Sequence, residues 1–437
     1  MQVNHLKIFS QNKMNHSCEI MAPGGDFASL SAALRSGADS VYIGVGDLNM
    51  RSHATMNFQI EELEEVVRLA RAAGKKLYLT LNTIIFNSEL EKMRQLCDHA
   101  KKAGVDAVIA SDFAVISYAR SIGLSVHGSV QMNLSNLEAV RFAAQFADVA
   151  VLARELALED IASICRSIKE ENICGPSGDL LKIEIFIHGA LCVAQSGRCF
   201  MSQISCNQSA NRGRCFQPCR RKYEIKDADS GMTFLLENSN VMSPKDLCML
   251  YHLKELLESG ASVFKIEGRG RSADYVANVV SVYREGLDEV AEKGFLSDES
   301  ASRLMARLEK TFNRSFWHGG YYLGENLDEW SKLSGNQSPV QKKFLGRVTN
   351  FFARSMIAEI TLEAGEFPQD GQALITGKIT GAMELEKCHF MLDEKYPEIA
   401  PKGSQITFKV DRKVRRGDLF YQEIPRKFGY ISNLDEA

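Results

Sequence analysis

Cysteines and basic residues crowd into one segment of the chain. Of the 11 cysteines in the sequence, six fall between Cys192 and Cys248. Between Ile185 and Tyr223 there is no acidic residue, but there are six basic ones. A thiol needs nearby positive charge or a metal to ionise near neutral pH. The combination predicts a chemical role for this segment rather than a packing role.

The spacing of these cysteines leaves three kinds of chemistry open. The pattern is Cys192-x6-Cys199-x15-Cys215-x32-Cys248. Zinc sites usually carry close C-x2-C pairs or histidine ligands, whereas thiolates gathered from separate loops also suit an iron–sulfur cluster. A peptidase nucleophile beside His188 is the third interpretation, although no cysteine is paired with a dedicated base. Spacing alone does not choose between a zinc site and a cluster.

Other polar residues follow predicted strands and are the remaining candidates for a site. In a (β/α)8 barrel the chemistry lies on the loops that follow the strands. The candidates at these positions are Asn82, Gln131, Asn133, Arg154, Glu155, His188, Glu267 and Arg269. A guanidinium group can bind a carboxylate through two parallel hydrogen bonds, which makes Arg154, Arg198 and Arg269 candidates for holding an organic acid.

The elements that must position these residues are eight short apolar strands that alternate with amphipathic helices. The predicted strands cover residues 19–22, 40–45, 76–82, 107–110, 125–131, 149–153, 182–188 and 262–267. Such alternation implies a parallel sheet, and eight strands are the number that closes a (β/α)8 barrel. A doubly wound open sheet is the competing α/β architecture.

The pattern changes after a polar linker at residues 333–339. Short strands separated by turns follow, which predicts a small β-barrel. We therefore divide the chain into a (β/α) barrel domain with cysteine-rich loops, residues 1–335, and a small β-barrel domain, residues 340–437, as a candidate RNA-binding unit.

Composition gives no global sign of a partner. The net charge is −3 and the isoelectric point is near 6.4, so any site for a polyanion must come from local clustering. No stretch approaches the ~18 apolar residues of a membrane span, and the first residues do not resemble a signal peptide. We expect a cytoplasmic protein that does not contact a membrane.

Several ordered motifs resemble one known family. The first is Glu184-x-Phe186-x-x-Gly189-Ala190-Leu191-Cys192-x4-Gly197-x-Cys199-x-Met201-Ser202. Further similar blocks are Ser243-Pro244-Lys245-Asp246-Leu247-Cys248 and Phe264-Lys265-Ile266-Glu267-Gly268-Arg269. Together they resemble the collagenase-like peptidase family, of the peptidase U32 type.

The resemblance implies a cofactor as well as an activity. Members of this family assist hydroxylations that do not use dioxygen, on RNA bases or on ubiquinone precursors, and are implied to hold a 4Fe-4S cluster on four cysteines. Carried over by motif, these are Cys192, Cys199, Cys215 and Cys248, with Cys219 as a rival for the third position.

The last part of the chain resembles one branch of this family in particular. Residues 410–418 and the single small β domain are similar to the branch of the family that hydroxylates tRNA. That branch is implied to convert the wobble uridine to 5-hydroxyuridine, with prephenate as the hydroxyl source. The expected partners are tRNA, a small organic acid and proteins that supply electrons. A collagenase-like peptidase and a hydroxylation partner in ubiquinone biosynthesis remain the alternatives.

Overall fold

The computed structural model describes residues 18–53, 57–234, 240–319, 330–333 and 335–426. The ends of the two predicted domains, residues 1–17 and 427–437, lie outside the described residues. Within the described ranges, no helix combines the length and the apolar character needed to cross a bilayer.

The first part of the chain is a closed barrel of eight parallel strands, as the strand and helix pattern predicts. Its strands are β1 (Glu19–Gly24), β2 (Ser40–Gly44), β3 (Lys76–Leu81), β4 (Ala107–Ala110), β5 (Ser125–Gly128), β6 (Val149–Val151), β7 (Lys182–Ala190) and β11 (Val263–Ile266). Neighbouring strands pair in this order, and β11 pairs in parallel with both β1 and β7. These two pairings close the ring and exclude the open sheet.

The described part of the chain has ten α-helices, most of which cover the outside of the barrel. They are α1 (Phe27–Arg35), α2 (Leu63–Ala72), α3 (Leu90–Ala103), α4 (Phe113–Ser121), α5 (Leu137–Ala144), α6 (Leu158–Glu170), α7 (Met201–Cys206), α8 (Leu253–Glu258), α9 (Ala273–Lys293) and α10 (Asp298–Glu309). Local sequence sets their ends. Asp26 caps α1 by accepting a 2.7 Å hydrogen bond from the Ser29 amide, and Gly104 ends α3 with a left-handed φ of 86°.

A long insertion separates β7 from α8 and carries the cysteine-rich segment. It contains α7, the short pair β8 (Ile225–Lys226) and β9 (Thr233–Phe234), and β10 (Asp246–Cys248). Strand β10 pairs antiparallel with the last residues of β7, and β12 (Phe316–Trp317) pairs in parallel with β10. The insertion therefore starts and ends beside the last residues of β7.

The second part of the chain is a small domain of antiparallel strands. They are β13 (Val340–Phe352), β14 (Ile357–Leu362), β15 (Phe367–Pro368), β16 (Gly371–Gly377), β17 (Gly381–Cys388), β18 (Ile399–Ala400), β19 (Gln405–Lys409) and β20 (Leu419–Pro425). Six of them form one sheet in the order β17-β16-β20-β13-β14-β19, and β15 pairs with β18. Phe367, Phe390 and Phe420 fill its core.

The β domain packs against the barrel helices α1 and α9. The Ser31 hydroxyl of α1 donates a 2.8 Å hydrogen bond to the Lys378 carbonyl oxygen, and Lys342 pairs with Asp274 of α9 at 2.6 Å. Gly381, with φ of 73°, lies so close to α1 that an added Cβ would come within 2.9 Å of the Ala32 amide nitrogen. Close packing and polar contacts thus fix the sheet on the outside of the barrel.

Candidate functional site

A cavity opens at the carboxyl ends of the barrel strands and is covered by the cysteine-rich insertion. It holds about 1220 Å³ of empty space, including its open mouth. Eight of the residues expected at the site line it: Asn82, Gln131, Arg154, Cys192, Cys199, Cys215, Glu267 and Arg269. The structure therefore brings most of the predicted strand-end residues to one place, together with three of the predicted thiols.

The walls of this cavity carry mostly positive charge. Its cationic lining residues are Arg51, Arg154, Arg220, Lys265, Arg269 and Arg314. Glu267 is the sole carboxylate in the same lining, counted over the residues that the structure describes. A concave site with such an imbalance attracts anions and concentrates them at its mouth.

Glu267 is held by an arginine that follows β2. Its Oε1 accepts hydrogen bonds from Arg51 Nη2 at 3.0 Å and from Nε at 3.3 Å, and the Tyr42 hydroxyl lies 3.4 Å from Oε2. Burial would raise the pKa of Glu267, but Arg51, Arg154 and Arg269 outweigh it and lower the pKa below its usual range. The carboxylate is therefore ionised at neutral pH.

Arg269 is buried beside Glu267 and is already bound by neutral groups. Its Nη1 donates to the Thr80 hydroxyl and its Nη2 to the Asn49 amide oxygen, each at 2.5 Å. Burial lowers the pKa of Arg269 to about 10, so the group remains charged near neutral pH. These contacts make Arg269 a fixed positive charge. Both of its terminal nitrogens already donate a hydrogen bond within the protein.

Arg154 presents an unused donor. Its guanidinium stacks over the Phe186 ring at 4.0 Å, and its Nη1 donates to the Ala190 carbonyl oxygen at 3.3 Å. Its Nε is buried and has no hydrogen-bond partner among the described residues. A buried donor without a partner is costly. Because Arg154 lines the cavity, its guanidinium is a candidate for binding a carboxylate there.

A buried ion pair lies at the floor of the cavity. Lys265 Nζ contacts Glu184 Oε1 at 2.7 Å and stands 4.6 Å from the centre of the Tyr42 ring. The Glu184 side chain is fully buried. Burial raises the pKa of Glu184, against the opposing effect of Lys265. Each charge therefore depends on the other for its stability.

We expect Lys265→Met to lower the free energy of unfolding by about 3–5 kcal/mol, because it leaves the Glu184 carboxylate buried and unpaired. Urea denaturation at neutral pH measures this change. The double variant Lys265→Met/Glu184→Leu removes both charges and is expected to recover most of the loss. Equal losses in the single and double variants would show that the pair is not coupled.

Two amide side chains at strand ends, Asn82 and Gln131, also line the cavity. Asn82 Nδ2 donates to Gln131 Oε1 at 3.2 Å, and Gln131 also accepts from the Ser129 hydroxyl. Asn133 does not line the cavity, but its Nδ2 donates to the Ser196 carbonyl oxygen at 3.0 Å. Asn133 thus fixes the loop between the first two cysteines, and it is a positioning residue rather than one that touches a ligand.

Four thiols line the cavity, from Cys192, Cys199, Cys215 and Cys219. Burial raises the pKa of Cys199, and Cys192 and Cys215 raise it further. Burial also raises the pKa of Cys219, Arg220 lowers it, and the other three cysteines raise it. Four neighbouring thiolates repel one another, so together they require a bound cation or cationic cluster.

Cys248, the fourth cysteine of the set implied by the family motif, does not line the cavity. It lies on β10, is fully buried, and has the Tyr283 hydroxyl 3.8 Å from its sulfur. Burial raises its pKa to about 11. Cys219 was expected only as a rival of Cys215, and in the structure both line the cavity. The set with Cys248 stays a prediction, and Cys219 becomes its alternative fourth member.

His188 also lies away from the cavity, because of a β-bulge in β7. Lys265 pairs with Phe186, but the next residue of β11, Ile266, pairs with His188, so Ile187 is the extra residue. A bulge changes the face to which the following side chain points. His188 is buried against Tyr283, whose hydroxyl lies 3.2 Å from Nδ1, and burial lowers its pKa to about 3.

Two further predicted residues lie at the surface. Glu155 and Arg198 are exposed and do not line the cavity. Each lies in a loop and not at the last position of a strand. The loop conformation, and not the strand geometry, therefore sets the direction of its side chain. Arg198 therefore cannot serve as an internal carboxylate ligand in this conformation.

The four cavity-facing thiols are the donor set that a cysteine-bound iron–sulfur cluster uses, so their chemistry fits such a cluster. No group of three or more His, Cys, Asp or Glu side chains that could hold a metal ion is found among the described residues.

Arg51 and Arg220 are the main residues of the site that sequence reasoning missed. Arg51 follows β2, so the rule that loops after strands form the site would have found it. Arg220 belongs to the basic segment, but it donates to the carbonyl oxygens of Leu191 and Pro244 at 2.5 and 2.6 Å. It therefore fixes the cysteine loops and is not available as a surface contact.

Comparison with known proteins agrees with this arrangement. The profile described as peptidase family U32 matches residues 25–332. A protein of Porphyromonas gingivalis W83 named collagenase is 43% identical over 404 residues, which cover 92% of this chain and 97% of that protein. The tRNA hydroxylation protein P of Helicobacter pylori 26695 is 35% identical over 402 residues, covering 89% of this chain and 85% of that protein.

A third relative is named for a different RNA. The 23S rRNA 5-hydroxycytidine synthase of Escherichia coli K12 is 36% identical over 307 residues, covering 69% of this chain and 44% of that protein. One of the three names refers to proteolysis and the other two refer to RNA hydroxylation. On the extent of these matches, the chain belongs to peptidase family U32.

Proposed function

We propose that this protein hydroxylates a base of RNA without dioxygen, with the wobble uridine of tRNA as the substrate and 5-hydroxyuridine as the product. Replacing a ring hydrogen by hydroxyl withdraws two electrons from the base, so the reaction needs an oxidising partner as well as a source of the hydroxyl group. We assign prephenate, a small organic acid, as the source of the hydroxyl group. We assign a 4Fe-4S cluster and its protein partners as the acceptor of the two electrons, so these partners would remove electrons rather than supply them as the resemblance implied.

One observation carries this proposal: four thiols and a cationic wall meet in the same cavity. Cys192, Cys199, Cys215 and Cys219 are the residues that would hold the cluster. When bound, the cluster would supply electron transfer or a Lewis-acidic iron at the thiol-lined side of the cavity. The cationic residues that line the cavity supply the fixed charges that an anionic co-substrate requires.

The residues of the chain then divide the remaining work. Arg154 is suited to bind a carboxylate of the organic acid, because its planar guanidinium lines the cavity and carries several hydrogen-bond donors. Arg269 holds a second positive charge through fixed contacts to Thr80 and Asn49. Glu267 is ionised and can accept the proton released from the base, while Arg51 fixes its position.

A peptidase is the second candidate, because one relative is named collagenase. Nucleophilic proteolysis needs a thiol or hydroxyl within hydrogen-bond reach of a base such as histidine. Four thiols line the cavity, but its described lining contains no histidine, and His188 is buried beyond it. The site therefore favours hydroxylation.

Nucleoside mass spectrometry of tRNA tests the proposal. A strain that lacks the gene is expected to lose 5-hydroxyuridine, and the wild-type gene is expected to restore it. The Cys248→Ala gene should also restore the nucleoside, whereas Cys219→Ala should not. Unchanged 5-hydroxyuridine in the deletion strain would contradict the assigned substrate, and a missing hydroxylated base in ribosomal RNA would redirect it.

A further inference from the structure

Exposed aromatic rings and arginines occur beside residues that line the cavity. We call this group the aromatic rim and define it as Phe86, Phe200, Arg212, Arg214 and Phe216. The three rings are 54%, 63% and 38% exposed, respectively. Large apolar side chains that gather on a surface mark an interaction site more often than isolated ones do.

Direct contacts join the parts of this rim. The Arg212 guanidinium lies 3.8 Å from the centre of the Phe86 ring. Arg212, Arg214 and His53 line one depression together with Asp47 and Glu89, and the His53 ring lies against Phe216, 4.4 Å between ring centres and tilted by 42°. Glu89 accepts two hydrogen bonds of 2.6 Å from Arg212 and so fixes the guanidinium over Phe86. These contacts join Phe86, the two arginines and Phe216, whereas Phe200 belongs to the rim by its place in the same insertion.

The rim leads directly to the thiols. Phe216 follows Cys215 in the chain and Phe200 follows Cys199, and both cysteines line the cavity. The Phe216 amide is fixed by a 3.0 Å hydrogen bond to the Ser202 hydroxyl. A ligand that reaches the cavity along this edge passes over these rings.

The charge of the rim indicates the class of ligand. Arg198, Arg214, Arg221 and Lys222 are exposed on the same insertion, and no acidic residue occurs between Ile185 and Tyr223. Positive side chains interleaved with aromatic faces are the arrangement that binds single-stranded nucleic acid, through phosphate contacts and base stacking. An apolar protein partner would not require this density of positive charge.

A second basic segment, residues 411–416 of the β domain, does not lie beside the aromatic rim. Asp411 and Arg412 line a depression together with Ser36, which ends α1. Helix α1 starts after β1 at the cavity and runs back along the barrel, so Ser36 is at the opposite end. Residues 411–416 are therefore remote from the mouth of the cavity.

We infer that the aromatic rim binds the unpaired RNA nucleotides that flank the target base and stacks at least two of their bases on Phe200 and Phe216. This inference rests on the proposed function, and it deepens that function by assigning the RNA contact to the barrel insertion instead of the β domain. Stacking on the rim would hold the flanking nucleotides while the target base enters the cavity.

Fluorescence anisotropy with a dye-labelled, eight-nucleotide single-stranded RNA and the anaerobically purified full chain tests the rim. We expect Phe200→Leu/Phe216→Leu to weaken binding about tenfold, because leucine keeps the apolar surface but removes the stacking face. Arg214→Glu should also weaken binding and reduce its dependence on salt. Phe142→Leu, at an exposed ring of α5, and Arg416→Glu, in the remote turn, are the matched controls and should leave the affinity unchanged.

Different outcomes would contradict the RNA-binding role of the rim and the proposed hydroxylation. If the wild-type protein binds the RNA and the rim variants bind equally well, the rim assignment is wrong, although RNA hydroxylation still stands. Loss of affinity in the Arg416→Glu variant alone would move the contact to the β domain and also overturn it. If the wild-type protein binds neither this RNA nor intact tRNA, both proposals fail. Wild-type affinity in the leucine variants with loss of a stoichiometric bound protein would identify a protein partner instead.

Discussion

Cys219→Ala is expected to abolish the iron–sulfur cluster, and Cys248→Ala is expected to leave it intact. Cys219 lines the cavity with Cys192, Cys199 and Cys215, whereas the Cys248 sulfur is buried beside the Tyr283 hydroxyl. Removing one of four thiolates opens a cluster site to loss of iron. The expected contrast is about four irons per chain for Cys248→Ala and close to none for Cys219→Ala.

Iron analysis and visible absorption after anaerobic purification measure this contrast. Cys206→Ala is the matched control, because Cys206 belongs to the same insertion but does not line the cavity. A thermal unfolding curve shows that each variant is folded. Loss of iron in Cys248→Ala with full iron in Cys219→Ala would restore the set carried over by motif and would contradict the geometry described above.

Arg154→Ala is expected to weaken the binding of prephenate about 10- to 100-fold. The variant removes a half-buried guanidinium that lines the cavity, and a hydrogen bond to a charged group contributes about 1.5–3 kcal/mol. Arg154→Lys is expected to bind weakly as well, because the ammonium keeps the charge but loses the planar donor pair.

Isothermal titration calorimetry of prephenate with the iron-loaded protein measures this effect. Arg198→Ala is the control, since Arg198 is exposed and outside the cavity. Unchanged iron content in both variants separates ligand binding from cluster loss. Equal affinity in the Arg154→Ala and wild-type proteins would show that the acid binds elsewhere, and weaker binding only in the Arg198 variant would move the site to the outer loop.

The barrel could be predicted from the sequence because each of its strands and helices is marked by residues that are close together in the chain. Each strand is a short apolar run, and helices end at residues such as Gly104 that adopt left-handed backbone conformations. Residues directly after strands, including Asn82 and Glu267, then reach the cavity as the barrel geometry requires. In the β domain the sequence predicts strands at residues 345–348, 357–362, 372–375 and 405–410, so β17 and β20 were missed. The residues of β20 are mostly partly buried and carry no clear alternation.

The rest of the site depends on contacts that a linear sequence does not show. The bulge at Ile187 turns His188 away from the cavity, and it appears only in the pairing of β7 with β11. That Cys219 lines the cavity and Cys248 does not depends on how the insertion folds back over the barrel. Arg220 reads as part of a basic surface, yet three hydrogen bonds place it inside the loop structure.

One measurement tests the central claim most directly. The iron-loaded protein is incubated without dioxygen with unmodified tRNA, prephenate and a chemical redox mediator in place of its protein partners, and the nucleosides are analysed by mass spectrometry. We predict that 5-hydroxyuridine appears only when prephenate is present, and that it is absent with the Cys219→Ala protein. Cleavage of a collagen substrate by the iron-free protein, with no hydroxylated nucleoside under any condition, would contradict the account.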